Sequence, residues 1–215
     1  MEEIPLHAAA VDASLRSAGL GQDAATTAAL AEFLGLLSRW NRVHNLTGTR
    51  GPRELVERHL VESLALRRLL AGTRIADVGS GAGFPGVPLA ICESARRFTL
   101  IESRGKRASF LRHVVAELEL TNTTVAHVRA EDLPAGLPFD TVLARAVARP
   151  AELMAIVRPL TAPGSVLLVL TSAKLAERLR EPGADFAVRE VTVPETAQLK
   201  STVVMLERTG SRQWA

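Results

Sequence analysis

The chain has 215 residues and a mass of 23.0 kDa, with 47% hydrophobic and 23% charged residues, which suits one α/β domain with a helical extension and excludes an extended disordered chain. The formal net charge is +3, yet residues 39–68 hold seven Arg against three Glu, and residues 96–113 hold five Arg and one Lys against one Glu. These two basic segments indicate a polyanionic partner, although either one alone is as typical of a solvated helix face.

The amino terminus begins acidic, with Met1, Glu2 and Glu3, and no apolar segment of the kind found in secretory signals follows. The longest uninterrupted aliphatic run, 166–170, is much too short for the roughly 20 apolar residues that cross a bilayer. We therefore expect a cytoplasmic protein without a membrane partner. The single cysteine, Cys92, excludes a disulfide framework and a Cys-based zinc site, and its apolar neighbours predict a core position.

Residues 1–72 are predicted to form a helical cap. Apolar residues recur there at intervals of three and four, the period of an amphipathic helix: Leu30, Phe33, Leu34, Leu37 and Trp40, then Leu55, Val56, Leu60 and Leu64. A turn-rich break at 45–52 separates the two helices. Glu54, Arg58 and Glu62 are spaced four residues apart and are expected to support the second helix. We expect Phe33 and Trp40 to be core residues and not platforms for base stacking.

From residue 73 to residue 215 the pattern changes to short apolar runs that alternate with amphipathic helices, and we expect one compact α/β unit. The predicted strands are 75–78, 98–101, 125–128, 141–144 and 166–170, and the predicted helices between them are 87–94, 106–120, 151–159 and 173–180. Right-handed crossovers place such helices on both faces of a largely parallel sheet. The last two strands, 186–193 and 202–207, are expected to close the sheet as an antiparallel pair.

A glycine-rich segment, 77–86, follows the first predicted strand. Gly81, Gly83 and Gly86 match the G-x-G-x-x-G pattern of dinucleotide-binding proteins, a match that is weak by itself. Counted from the end of the strand, however, the pattern is D-x-G-x-G-x-G, which begins at Asp77 and has its first glycine at Gly79. A carboxylate at that position repels a pyrophosphate and attracts a cationic amino acid group. The segment therefore favours S-adenosylmethionine as its ligand.

Further polar groups follow the next two predicted strands. Glu102 ends the second strand, where it can accept hydrogen bonds from both hydroxyls of a ribose. The segment Ala130-Glu131-Asp132 follows the third strand and is expected to contact an adenine through a backbone amide and a side chain. Open α/β sheets bind ligands at the carboxyl ends of their strands, so these groups and the glycine-rich segment predict one site. The alternative for Glu102 is a surface ion pair with Arg104 or Arg107.

Several motifs along the chain resemble those of one enzyme family. They are W-N-R-V-H-N-L-T at 40–47, R-H-L-V-E-S at 58–63, the segment 77–88, G-K-R at 105–107 with Phe110 and Leu111, and A-R-A at 144–146. Together they are similar to the motifs of the ribosomal RNA small subunit methyltransferase G family, also known as glucose-inhibited division protein B. The resemblance spans roughly residues 30–175, and the combination of motifs is highly specific.

The resemblance implies a Rossmann-like class I S-adenosylmethionine-dependent methyltransferase fold, with a seven-stranded, mostly parallel sheet, an antiparallel carboxy-terminal hairpin and an amino-terminal helical cap. It implies methylation of N7 of one guanine in 16S ribosomal RNA, at position 527 in the usual numbering of that RNA. By matching positions it assigns to the cofactor site Gly79, Phe84, Ala130, Glu131 and Arg145. The chain departs from the family pattern at Glu62 and Glu102, where Asp is usual or frequent, and at Thr171-Ser172, where a Lys-Gly pair is usual.

The residues absent from the predicted site limit its chemistry. The segment after the fourth strand, 145–150, lacks the Asn/Asp-Pro-Pro-aromatic motif with which exocyclic amine methyltransferases hold an amine. Cys92 lies in the wrong helix for the nucleophile that methylation of a pyrimidine carbon requires. Guanine N7 carries an exposed in-plane lone pair and needs no general base. We therefore expect an in-line displacement in which catalysis is chiefly positioning and no single residue is essential.

Basic residues near the predicted site are candidates for RNA binding. Lys106 and Arg107 lie in the first turn of a predicted helix, where the helix dipole disfavours cations, so we expect them to bind RNA phosphates beside the pocket. The alternative is that they are solvated partners of Glu102 or Glu117. The further candidates for RNA binding are Arg58, Arg104 and Arg149.

No residue is assigned as a catalytic acid, base or nucleophile, and the candidates for positioning are Arg145, Lys106 and His59. Arg145 ends the fourth strand and is expected to lie near the methionine moiety or guanine O6; the alternative is a buried partner for Asp77 or Glu131. A lone histidine on a helix, such as His59, is more often a packed residue than a functional one.

The expected partner is 16S ribosomal RNA, in the 30S subunit or its precursor, and we expect a monomer that uses S-adenosylmethionine and no metal. Two alternatives use the same residues differently. One is an NAD-dependent oxidoreductase that binds its cofactor at the same glycines. The other is a non-catalytic RNA-binding assembly factor with a vestigial cofactor pocket.

Overall fold

A single seven-stranded sheet organises the protein. The structure, a computed structural model, describes residues 7–48, 51, 54–134, 136, 138–145, 149–180, 185–189, 199 and 201–210. The strands are β1 (Arg74–Val78), β2 (Arg97–Ile101), β3 (Thr123–Ala126), β4 (Phe139–Arg145), β5 (Thr161–Thr171), β6 (Phe186–Arg189) and β7 (Thr202–Arg208). Their order across the sheet is β3-β2-β1-β4-β5-β7-β6.

Strands β1 to β5 are parallel, and β7 inserts antiparallel between β5 and β6. The order reverses direction at β1, because β2 pairs with one of its sides and β4 with the other. A crevice at such a reversal is where open α/β sheets bind ligands. The predicted sheet, with its antiparallel carboxy-terminal hairpin, is confirmed.

The helices of the cap are α1 (Ala8–Ser17), α2 (Ala24–His44) and α3 (Val61–Ala65). Asp23 caps α2 by accepting a hydrogen bond from the N–H of Thr26 at 2.8 Å, and Asn45 ends the helix in the left-handed conformation. A π-helical turn, Leu55–Leu60, runs directly into α3, and a 3₁₀ turn, Arg67–Leu69, follows it. The sequence predicts an α-helix where the π-helical turn lies.

The remaining helices cover both faces of the sheet. They are α4 (Gly86–Cys92), α5 (Gly105–Glu117), α6 (Pro150–Val157) and α7 (Ala173–Leu179). The cap packs with α4 and α5 in one apolar cluster that includes Phe33, Leu37 and Phe110, while α6 and α7 pack on the opposite face around Val142 and Leu167. Phe33 is fully buried, so its predicted core position is confirmed. The division of the chain at residue 72 stays a prediction.

The predicted third strand, 125–128, is wrong by two residues, because β3 is Thr123–Ala126. The predicted helix 106–120 ends earlier, at Glu117, since Glu119 adopts a positive φ of 49° and Leu120 donates its N–H to the carbonyl of Val115 at 3.0 Å. The side chain of Asn122 then donates to three carbonyls near the end of α4 and fixes the entry into β3. Residues 190–193 of the predicted sixth strand lie outside the described residues.

Among the described helices, none is both long enough and apolar enough to cross a bilayer. Cys92 lies half-buried at the end of α4, and burial raises the pKa of its thiol to about 12. In the described part of the chain, no three His, Cys, Asp or Glu side chains are grouped so that they can hold a metal ion.

Candidate functional site

The glycine-rich loop lies at the carboxyl end of β1. The N–H groups of Gly79 and Ser80 both donate to the carbonyl of Ile101, at 2.9 and 3.1 Å, which folds the loop across the end of β2. Gly79, Gly81 and Gly83 have positive φ values of 70°, 58° and 91°, a conformation that favours glycine. A Cβ at Gly79 would meet no atom within 4 Å, so the backbone there is open to a ligand.

Asp77 supports this loop from below. Its carboxylate, 1% exposed, accepts a hydrogen bond from the N–H of Gly86 at 3.1 Å, at the start of α4. A Cβ at Gly86 would lie 2.5 Å from Oδ2 of Asp77, so only glycine allows this approach. Burial raises the pKa of Asp77 to about 7, against the opposing effects of its hydrogen bonds and of Arg145. Asp77 is therefore poised between its neutral and charged forms near neutral pH.

Glu102 also bonds to the loop. Its carboxylate is 4% exposed and accepts from the N–H of Gly81 at 2.9 Å and from the backbone N–H of Arg104 at 2.7 Å. The predicted alternative, a surface ion pair with the guanidinium of Arg104 or Arg107, is wrong, because the carboxylate is buried and accepts backbone amides. Its predicted contact with a ribose stays a prediction.

Aromatic rings enclose one side of the loop. The ring of Phe84, 7% exposed, packs edge-on against Phe33 and lies stacked on His59, with centroids 5.2 Å apart in both pairs. His59 comes from the π-helical turn, and π turns inside helices are frequent at functional sites. Burial, followed by the charges of Arg145 and Arg58, lowers the pKa of His59 to about 3. The imidazole is therefore neutral at physiological pH and a poor proton acceptor.

Arg145 enters the site from the carboxyl end of β4. Its Nη2 donates to Oε2 of Glu62 at 2.6 Å, and the Glu62 side chain is 1% exposed. The expected alternative partners of Arg145, Asp77 and Glu131, are wrong as hydrogen-bond partners, although the charge of Asp77 acts on the guanidinium. The expected support of the helix by Glu62 is also wrong, because Glu62 turns toward Arg145 while Arg58 pairs with Glu54 at 3.1 Å.

The start of α5 brings three basic residues to the edge of the loop. Arg104 and Lys106 are exposed, and Nη1 of Arg107 would lie 3.7 Å from a Cβ at Gly81. Within the described residues, neither Lys106 nor Arg107 forms an ion pair, so their predicted alternative as partners of Glu102 or Glu117 is wrong. The candidate Arg149 is exposed and pairs with Glu152 at 3.0 Å.

Ala130 and Glu131 lie toward the face of the sheet that is opposite the cap. They form a 3₁₀ turn after β3, where Ala130 packs into the cluster under α6 and α7. With Arg74, Thr99 and Phe139 they line a groove of about 340 Å³ on that face. The described contacts bring Asp77 and Glu102 together at the loop, but they do not connect Ala130 or Glu131 to that group. The predicted contact of Ala130 and Glu131 with an adenine stays a prediction.

Two groups at the site were missed by the sequence analysis. The hydroxyl of Ser80 donates to the carbonyl of Asp77 at 2.9 Å and closes the first turn of the loop. Glu62 is fully buried and also accepts from the backbone N–H of Ser201 at 3.0 Å. The signals for Glu62 in the sequence are its place in the R-H-L-V-E-S motif and the family resemblance, in which an acidic residue is usual at this position.

The chain is similar to the proteins of one enzyme family. The family model of rRNA small subunit methyltransferase G matches residues 26–206. The ribosomal RNA small subunit methyltransferase G of Stenotrophomonas maltophilia (strain K279a) is 43% identical over 194 residues, which are 89% of this chain and 91% of the relative. The protein of that name from Halorhodospira halophila (strain DSM 244 / SL1) is 47% identical over 159 residues, or 74% and 76% of the two chains.

Solved structures with similar folds have much lower sequence identity. The O-methyltransferase TomG of Streptomyces achromogenes, solved in complex with S-adenosylmethionine, has a TM-score of 0.57 at 20% identity and covers 98% of this chain and 100% of its own. Magnesium protoporphyrin IX methyltransferase of Synechocystis PCC 6803, solved with the same compound, has a TM-score of 0.56 at 15% identity, with coverage of 82% and 97%. These similarities establish the fold.

Proposed function

This chain belongs to the rRNA small subunit methyltransferase G family, and from that membership we propose which atom it modifies and which residues act. It is an S-adenosylmethionine-dependent methyltransferase of small-subunit ribosomal RNA. The residues present fit that cofactor: the open backbone at Gly79 leaves room for it, and buried carboxylates face a ligand that carries positive charge.

We propose N7 of one guanine as the methylated atom, at position 527 of 16S RNA. The observation that carries this proposal is that the described groups around the loop include no nucleophile, and that the buried carboxylates there, Asp77 and Glu102, accept hydrogen bonds from loop amides and are not open to a substrate proton. His59 has its pKa lowered to about 3, and Cys92, whose pKa is raised to about 12, lies at the far end of α4 beside Arg67. N7 attacks through an in-plane lone pair and loses no proton, so this chemistry requires only alignment.

In the proposed reaction, bound S-adenosylmethionine supplies an electrophilic methyl group. Gly79, Gly81, Gly83, Phe84 and Asp77 bind and orient the cofactor around the loop, with Glu102 directed at its ribose and Ala130 and Glu131 at its adenine. Arg145 acts at the reacting end. The residues proposed to bind RNA are Arg58, Arg104, Lys106, Arg107 and Arg149.

Charge and exposure support this division of roles. The start of α5 presents exposed cations beside the loop, where RNA phosphates can be bound without crossing the cofactor site. We propose that the protein acts as a monomer on the 30S subunit or its precursor. The cap (residues 1–72) packs beside the loop through Phe33 and His59 and is proposed to be a separate unit that shapes the RNA-facing side.

The test is transfer of a labelled methyl group to 30S subunits from a strain that lacks this modification. We expect one methyl group per particle, recovered as N7-methylguanine after nucleoside digestion and mass spectrometry. Methylation of an exocyclic amine or a ring carbon would contradict the assignment of N7. Tight binding of NADH without methyl transfer would favour an oxidoreductase, and RNA binding without any transfer would favour an assembly factor.

A further inference from the structure

The ion pair between Glu62 and Arg145 joins the cap to the end of β4. Glu62, in α3, is fully buried, and its two oxygens have different partners. Oε2 accepts from Nη2 of Arg145 at 2.6 Å, and Oε1 accepts from the backbone N–H of Ser201 at 3.0 Å. One carboxylate therefore fixes the position of a guanidinium that comes from 83 residues further along the chain.

The same guanidinium has a second nitrogen with no assigned partner. Nη1 of Arg145 is buried and has no hydrogen-bond partner among the described residues. Buried donors in folded proteins are nearly always hydrogen-bonded, so an unbonded one at a ligand site points to the ligand. The side chain as a whole is 15% exposed, which leaves a narrow approach for that ligand.

The sheet register shows where this guanidinium lies. Leu143 pairs with Asp77 across β4 and β1, and Arg145, two residues further along β4, projects from the same face just beyond the end of β1. Asp77 and Glu62 both act electrostatically on Arg145, as does Arg58. Arg145 thus lies at the carboxyl end of β1, on the face that carries Asp77.

An unpaired cation at this position would repel the sulfonium of S-adenosylmethionine. The carboxylate of Glu62 removes most of that repulsion because it lies in contact with the guanidinium, away from bulk water. It also bonds only to Nη2 of the guanidinium, which leaves the other terminal nitrogen, Nη1, free to donate in a fixed direction. A neutral hydrogen-bond acceptor in place of Glu62 would still orient Nη1 but would not neutralise the charge of Arg145.

We propose that Glu62 is a positioning residue, which holds and neutralises Arg145 so that Nη1 donates to an acceptor oxygen of the bound methyl donor or of the target guanine. The inference rests on the proposed function. The acceptor chemistry is the same in both cases, namely a carboxylate oxygen of the methionine moiety or O6 of guanine.

The test compares Glu62→Gln, Arg145→Gln and the double variant, with Glu93→Gln as a matched control. Glu93 is likewise a carboxylate paired with arginines, Arg67 and Arg96, but it is only partly buried and lies at the far end of α4. The measurements are the dissociation constants of S-adenosylmethionine and S-adenosylhomocysteine by calorimetry, kcat and KM for RNA, and the melting temperature.

We expect Glu62→Gln to weaken the binding of S-adenosylmethionine by about tenfold more than the binding of S-adenosylhomocysteine, because only the former carries a sulfonium. In the Arg145→Gln background the same substitution is expected to change either affinity by less than about twofold, since its effect passes through Arg145. Glu93→Gln is expected to lower the melting temperature without changing the ratio of the two affinities.

The source of the acceptor follows from where the Arg145→Gln defect appears. A defect in donor binding without RNA identifies the methionine carboxylate, whereas normal donor binding with a reduced kcat/KM for RNA identifies guanine O6. The inference is overturned if Glu62→Gln changes the affinities and kinetics no more than Glu93→Gln, or if its effect is undiminished in the Arg145→Gln background.

Two further results keep the outcome interpretable. If Glu62→Gln does not fold, the variant Arg145→Lys decides. The ammonium can still pair with Glu62, but its donors lie on a single nitrogen and none takes the place of Nη1, so donor or RNA binding must fall while the melting temperature holds. Failure of the wild-type protein to bind either ligand would instead refute the proposed function itself.

Discussion

At the scale of single residues, ionisation of Asp77 has opposite effects on stability and on ligand binding. It lowers the stability of the fold and strengthens the binding of a cationic ligand. Its pKa is raised from 3.8 to about 7 by burial, so the folded protein binds its proton more tightly than the unfolded chain does. In the donor-free protein this contribution to stability is complete below about pH 4 and is lost as the pH rises through about 7. Ionised Asp77, in contrast, attracts a cationic donor.

We expect Asp77→Asn to melt at a higher temperature than the wild type, by a margin that grows between about pH 4 and about pH 7. The same variant is expected to lose the rise in affinity for S-adenosylmethionine that the wild type gains over that range, which is at most about tenfold per pH unit. Thermal melts and calorimetry at several pH values measure both effects. Asp12→Asn, on the surface of the cap, serves as the control, and parallel pH profiles for all three proteins would refute the role given to Asp77.

Gly79 allows a separate test of ligand approach. Gly79 and Gly19 have nearly the same φ, 70° and 69°, so replacement by Ala strains both by about 1–2 kcal/mol. Gly19 follows the end of α1, far along the chain from the loop. We expect Gly79→Ala and Gly19→Ala to lower the melting temperature similarly, and only Gly79→Ala to weaken binding of S-adenosylhomocysteine. Equal affinities in calorimetry would show that no ligand approaches Gly79.

At the scale of elements, α2 supports the loop through Phe33. A Cβ at Gly83 would lie 3.2 Å from the ring of Phe33, and that ring also packs edge-on against Phe84. Phe33→Ala is expected to cost about 3–5 kcal/mol of stability and, well below the melting temperature, to weaken donor binding by about tenfold as the loop loses its support. Leu15→Ala, in α1, removes a fully buried side chain from the same cluster and is expected to cost about 2–5 kcal/mol without a binding defect.

The contacts that could be predicted from the sequence are those set by strand ends. Asp77 and Glu102 end neighbouring parallel strands, so their meeting at the glycine loop follows from the βαβ pattern alone. The pairing of Glu62 with Arg145 could not be predicted, because it depends on how the cap docks and because the π-helical turn changes which side chains face the sheet. The boundary of β3 was missed for a different reason, since the side chain of Asn122 fixes it through hydrogen bonds to the end of α4.

At the scale of the whole molecule, the described residues include cations without ion pairs at both ends of the sheet, and this offers a matched test of RNA binding. Lys106 and Arg107 adjoin the loop, whereas Arg68 and Arg97 are exposed near the amino ends of the strands. We expect replacement of Lys106 and Arg107 by Gln to reduce the salt dependence of RNA affinity by about 0.7–0.9 log units for each RNA phosphate that the protein no longer neutralises. Replacement of Arg68 and Arg97 is expected to leave the slope unchanged; equal slopes for the two double variants would locate the RNA elsewhere.

The backbone N–H of Ser201 and the guanidinium of Arg145 donate to the same carboxylate, that of Glu62, which lies 139 residues before Ser201 in the sequence. An amide proton that is hydrogen-bonded to a buried carboxylate exchanges slowly with solvent, and its resonance is sensitive to the charge of that carboxylate. In an isotopically labelled sample this one signal can report whether the arginine is engaged, without a probe being attached. The protein therefore contains its own spectroscopic indicator of site assembly.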